Sequence, residues 1–86
     1  MRIINVVEIL DSQIVKLISF PILTETDELV KKQVYNAEKA FTKIAIENGA
    51  EQKDMESYIE DGVYGKYGYG REYSLNIIWS EATLDN

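Results

Sequence analysis

Tyr64, Lys66, Tyr67, Tyr69 and Arg71 lie within eight consecutive residues, interleaved with Gly65, Gly68 and Gly70. A tyrosine ring stacks on flat or apolar groups and carries a hydroxyl for hydrogen bonding. Lysine and arginine beside it add positive charge and cation–π contacts. Residues 62–73 hold four of the five glycines and four of the six tyrosines of the chain. Because glycine adopts backbone angles closed to other residues, the segment reads as a loop built to grip a ligand. Its five candidate binding residues suit a saccharide ring, an unpaired nucleic-acid base or a peptide. The same composition also fits a long connection whose tyrosines fold back on a sheet edge. Tyr73 belongs to the strand that follows, which leaves Tyr64, Tyr67 and Tyr69 as the aromatic candidates. The glycine spacing runs backwards relative to a dinucleotide-binding fingerprint and precedes a strand, so it does not mark a phosphate-cradling loop.

A second cluster is acidic: Glu51, Asp54, Glu56, Glu60 and Asp61. Glu56 and Glu60 lie one helical turn apart, but the twelve-residue calcium-loop pattern is absent, and no metal site or cofactor is implied. The plain reading is a solvated helix face. The functional one is a negative patch facing a partner, imitating a phosphate array and steering association with a basic protein. Catalysis has little to work with. The chain contains no histidine and no cysteine, which removes the usual general base and the thiol nucleophile, and no serine has an identifiable base. The expectation is a protein that is not an enzyme.

Charge and composition narrow the partners. The net charge is −6, and residues 24–61 contribute −5 of it, with ten acids against five lysines. A phosphate backbone requires a concentrated basic surface, and the sequence shows none, which argues against a duplex nucleic-acid ligand. No apolar run approaches the roughly 20 residues that span a bilayer. The N-terminal residues, interrupted by Asn5 and Glu8, read as a strand and not as a signal peptide. Lack of cysteine fits a reducing cytoplasm. At 86 residues the chain is expected to form one small domain whose thin core gains from self-association.

The elements that position these residues follow from patterning. Two runs rich in isoleucine and valine around Asp11-Ser12 predict a β-hairpin over residues 3–20. Ile3, Val7 and Ile9 point to one face, and Ile4, Val6 and Leu10 to the other. One face must meet helices; a partner subunit is expected to cover part of the other. Thr24 and Thr26 are both capping candidates for a long helix over about 26–48. Val30, Val34, Ala37, Phe41 and Ile44 form its buried stripe, and Asn48-Gly49 its stop. Tyr35, Thr42 and Ile46 fall off that stripe, where they serve either as an interaction patch or as the seat of a second helix. That helix is expected over about 51–61, with Met55, Tyr58 and Ile59 inward. Tyr73, Leu75, Ile77 and Trp79 alternate with Ser74, Asn76, Ile78 and Ser80 in a strand over 72–80. Residues 82–86 read as a frayed tail.

The expected fold is α+β in the order ββααβ. A three-stranded antiparallel sheet, with the last strand beside the first, is packed on one face by both helices. The expected function is a small acidic cytoplasmic protein-binding module, an inhibitor or regulatory accessory protein of a basic partner, with homodimerisation a further option. The alternative is a ligand-binding domain that uses the 62–73 loop.

Overall fold

The computed structural model describes residues 1–82; the tail expected from residue 82 lies, after Ala82, outside the described residues. Strands β1 (Arg2–Leu10) and β2 (Gln13–Ile22) form the expected hairpin. Pro21 sits near the outer end of β2, where a missing N–H is tolerated at a sheet edge. Helix α1 (Asp27–Glu47) begins at Thr26, whose hydroxyl accepts a hydrogen bond from the Leu29 N–H at 3.3 Å. Of the two threonines, Thr26 is therefore the cap. A 3-10 turn (Gln52–Asp54) leads into α2 (Met55–Asp61), and Gly62 ends it at φ +74°, an angle that favours glycine.

The sequence predicts three strands; the sheet has four, in the order β2-β1-β4-β3, all antiparallel. Residues 63–68, expected as part of a loop, form the edge strand β3 (Val63–Gly68), paired to β4 (Arg71–Glu81). Glycine was misleading here for a physical reason. An edge strand tolerates Gly65 and Gly68 because it packs on one side only, while Val63, Tyr64 and Tyr67 favour extended backbone. Tyr69 (φ +53°) and Gly70 (φ +75°) then make the two-residue turn, both in the left-handed region as a type I′ hairpin requires. The strand expected over 72–80 is β4, and it does lie beside β1.

Directly opposed residues of an antiparallel ladder share a face. The inner face carries Ile4 and Val6 of β1, Ile18, Phe20 and Ile22 of β2, Leu75 and Ile77 of β4 and Tyr64 of β3. It meets Ala37, Phe41, Ile44 and Ala45 of α1 and Met55 of α2 in one core cluster. Helix α1 runs along β1 from the Arg2 end, where Gln33 Nε2 donates to the Pro21 carbonyl at 2.8 Å. At the Glu8 end it stops, with Asn48 Nδ2 3.4 Å from Glu8 Oε2. Both hairpin tips, Asp11-Ser12 and Tyr69-Gly70, therefore overhang the helical layer. The radius of gyration is 14.0 Å, against about 12 Å for a compact chain of this length.

Asp11 (φ +49°) and Ser12 (φ +68°) also adopt the type I′ geometry, without a glycine. A left-handed serine is strained by about 1 kcal/mol or more, whereas glycine adds back somewhat less in unfolded-state entropy. Ser12→Gly is therefore expected to stabilise the fold by about 0.5 kcal/mol, read as a higher urea midpoint at unchanged slope.

Candidate functional site

Beyond the end of α1 the inner sheet face has no helix over it, and the uncovered part is a cleft of about 470 Å³. Leu10, Val15 and Tyr73 supply apolar surface, Glu8, Asn48 and Lys66 the polar groups, and the turn residues Gly68, Tyr69 and Arg71 the outer wall. Val15 has no partner in the β1–β2 ladder, because the register shifts between Glu8 and Ile9. Such a bulge re-aims side chains, and this one lines the cleft.

The two overhanging tips are fastened to each other. The Glu72 N–H donates to Asp11 Oδ1 at 3.0 Å, Arg71 Nε donates to Asp11 Oδ2 at 2.9 Å, and the Asp11 N–H donates to the Glu72 carbonyl at 2.9 Å. The Glu72 N–H, and after it the Arg71 guanidinium, hold the Asp11 carboxyl below the usual aspartate range. Because the ion pair is exposed, its role is geometric: it makes one blunt end out of two hairpins.

The five expected binding residues divide. Tyr64 is a core residue, 7% exposed, edge-on to Tyr58 at 5.0 Å and Tyr73 at 6.3 Å, with its hydroxyl donating to the Asn48 carbonyl at 3.2 Å. It is not available to a ligand. Lys66 Nζ donates to that same carbonyl at 2.6 Å, at the negative end of α1, and lies 5.3 Å from the Tyr73 ring. Among the described residues no carboxylate forms an ion pair with it. Arg71 is held by Asp11. Tyr67 is 73% exposed, opposite Glu72 on the outer face at the tip of the hairpin. Tyr69, at the turn itself, is fully exposed.

Tyr69 is the anomaly of the site. It occupies the first central position of a type I′ turn, where asparagine, aspartate or glycine is favoured, and left-handed backbone strains it by about 1–2 kcal/mol. Its ring buries nothing in return.

Tyr73, Glu8 and Asn48 were not among the expected site residues. The Tyr73 hydroxyl donates to Glu8 Oε2 at 2.5 Å. No local signal marks this pair, whose members are 65 residues apart in the chain. Burial, and then the Glu8 carboxylate, push the Tyr73 phenol well above the ordinary tyrosine range. Burial and then Tyr58 raise Tyr64 as well. A raised folded-state value means that this contribution to stability is complete below the ordinary phenol value of about 10 and fades as pH climbs beyond it. Stability is thus expected to be lower at pH 11 than at pH 8, with the loss setting in above about pH 10. Tyr73→Phe is expected to cost about 1.5 kcal/mol at pH 8 and to flatten that alkaline loss. Urea unfolding at both pH values reads both effects.

The acidic candidates lie apart from the cleft, on the 3-10 turn and α2. Glu51, Glu56, Glu60 and Asp61 are exposed and Asp54 is half-buried. Glu51 pairs with Lys53 at 3.3 Å. Among the described residues no group of three or more potential ligands is placed to hold a metal ion. On α1, Tyr35 remains exposed, with Lys39 Nζ 5.4 Å from its ring, and it shares a shallow groove with Thr42 and Ile59 of α2. The second helix reaches that side of α1 without covering the tyrosine. No helix among the described residues is long and apolar enough to cross a membrane.

Comparison with known proteins finds no match to this chain among family models, curated proteins or solved structures.

Proposed function

We propose that the chain is a non-catalytic, cytoplasmic protein-binding module that docks through its overhanging hairpin end, as an inhibitor or accessory protein of a basic partner. The observation that carries this reading is Tyr69: fully exposed, backbone-strained, and at the rim of the cleft. Tyrosine and arginine dominate the energetic centres of protein interfaces, and Tyr67, Tyr69 and Arg71 stand together at this end. The Asp11–Arg71 clamp pre-orders the surface, which lowers the entropy lost on docking. The acids of the 3-10 turn and α2 act at longer range, by drawing in a basic partner before contact.

The test is capture of a protein from the native lysate by the immobilised chain, beside the Tyr67→Ala/Tyr69→Ala double variant. A partner retained by the first, lost by the second and released by salt supports the proposal. No such partner, or one indifferent to both tyrosines, opposes it. The cleft itself favours a second reading: its apolar floor beside Glu8, Asn48 and Lys66 suits a saccharide ring or an unpaired base. A saturable response to glycans or oligonucleotides, with no protein captured, would move the assignment there.

A further inference from the structure

The face of the sheet turned away from the helices is uncovered. Its rows run across the strands as Leu17–Val7–Asn76–Val63, Ser19–Asn5–Ile78 and Ile14–Ile9–Ser74. Ile14, Leu17, Val63 and Ile78 on it are all exposed, Leu17 by 58% and Ile78 by 46%. An antiparallel sheet commonly turns one face to water and alternates to polar residues there; β4 follows that pattern with Ser74, Asn76 and Ser80, whereas β1 and β2 place Ile3, Val7, Ile9, Ile14 and Leu17 on this face. We infer that the outer sheet face binds a second copy of the chain, face to face about a two-fold axis.

Three observations select that occupant. The first is charge. Glu72, at one end, is the only charged residue on the outer ladder positions, in a chain of net charge −6. Two copies meeting here place their acidic helical layers on opposite outsides, roughly 30 Å apart for two sheets and two helix layers. That is several times the Debye length of about 8 Å, so their repulsion is screened.

The second is the state of the polar groups. Asn5 Nδ2 donates to the Ile78 carbonyl at 3.1 Å and to Ser80 Oγ at 2.9 Å, while Asn5 Oδ1 accepts from Ser19 Oγ at 2.8 Å. Asn76 Nδ2 donates to Ser74 Oγ at 3.0 Å. These side chains satisfy one another within the face. Covering them with an apolar surface therefore strands few hydrogen-bonding groups, and stranding them is the main penalty in burying polar residues. A face meant for water has no need of such internal closure.

The third is area. Strand spacing and rise give the four-stranded face a footprint of roughly 600 Å². Two such faces bury about 1,200 Å² together, which reaches the range of specific stable interfaces. Edge-to-edge pairing is the competing geometry, either through the six-residue β3 with its two glycines or through β2. Pro21 and the bulge at Val15 both interrupt the β2 edge, and pairing along either edge leaves Leu17 and Ile78 in water.

Sedimentation equilibrium of the intact chain, from 1 to 200 µM, tests the inference. The expected species is twice the 9.9 kDa chain mass, and Leu17→Lys and Ile78→Lys are each expected to weaken it at least 100-fold while circular dichroism stays unchanged. A monomer throughout the range overturns the inference, as does a dimer that both lysine variants leave intact. Should either variant unfold, the native chain decides. Methyl signals of Leu17 and Ile78 shielded from a soluble paramagnetic probe support the interface, and signals bleached like that of the exposed Leu23 overturn it. None of these results depends on the hairpin end binding a partner.

Discussion

Phe41→Ala is expected to remove about 3–5 kcal/mol of stability and to lower the melting temperature by roughly 15–30 °C. Phe41 is the largest of the fully buried side chains among the described residues. It sits on the stripe of α1 that meets Ile4, Val6 and Leu75, so it joins the helix to both central strands. Truncation loses the transfer energy of the ring and leaves a cavity that the rigid sheet cannot close. A chain of this size is stable by about 4–13 kcal/mol in all, so this one change reaches from a quarter of the total to all of it. Phe41→Leu keeps most of the volume and is expected to cost less than half as much. Urea and thermal unfolding followed at Trp79 measure both. A loss below 1 kcal/mol for the alanine variant would mean that α1 does not pack on the sheet as described.

Tyr69→Asn is expected to act in the opposite sense on stability and in the same sense on function. Asparagine accepts left-handed backbone, and Asn-Gly is the favoured type I′ pair, so the turn gains about 1 kcal/mol, or roughly 4–8 °C in melting temperature. Partner affinity is expected to fall by at least 2 kcal/mol, about 30-fold, as for a central interface tyrosine. Tyr67→Ala is expected to weaken binding without the stability gain, because its backbone is ordinary strand. The pairing of higher stability with lost binding separates a functional tyrosine from a structural one. A Tyr69→Asn chain that is less stable, or that binds as before, would remove the reason for placing the site here.

Helical elements were readable from the sequence because their signals are local. The Thr26 cap, the stripe from Val30 to Ile44 and the stops at Asn48-Gly49 and Gly62 each act over one or two turns. The alternation from Tyr73 to Trp79 likewise gave β4 its inner face, and the strand lies beside β1 as expected. Strand β3 was not legible, since Gly65 and Gly68 carry the same local signal in a loop as on a sheet edge. What decides between them is pairing with β4, which depends on the turn. That turn was hidden because Tyr69 stands where asparagine would have announced it.

The candidate site was legible in part, for the same reason. Composition drew attention to residues 64–71, and Tyr67, Tyr69, Lys66 and Arg71 do border one cleft. Tyr64 was misplaced: as a strand residue opposite Leu75 it faces the core. Glu8, Asp11 and Asn48 come from distant parts of the chain and enter the site only because α1 ends short of the hairpin tips. The overhang, and the cleft it opens, are a matter of relative element length. Short-range patterns do not report that.

Photo-crosslinking tests the docking site most directly. A benzophenone amino acid at position 69 keeps an aromatic ring at the turn, and the same residue at the exposed Tyr35 of α1 serves as the comparison. Illumination in the native lysate is expected to join one protein to the position-69 chain, with the adduct suppressed by excess unmodified chain and by high salt. Adducts of equal yield from both positions, or none above background at position 69, would contradict a hairpin end built for docking.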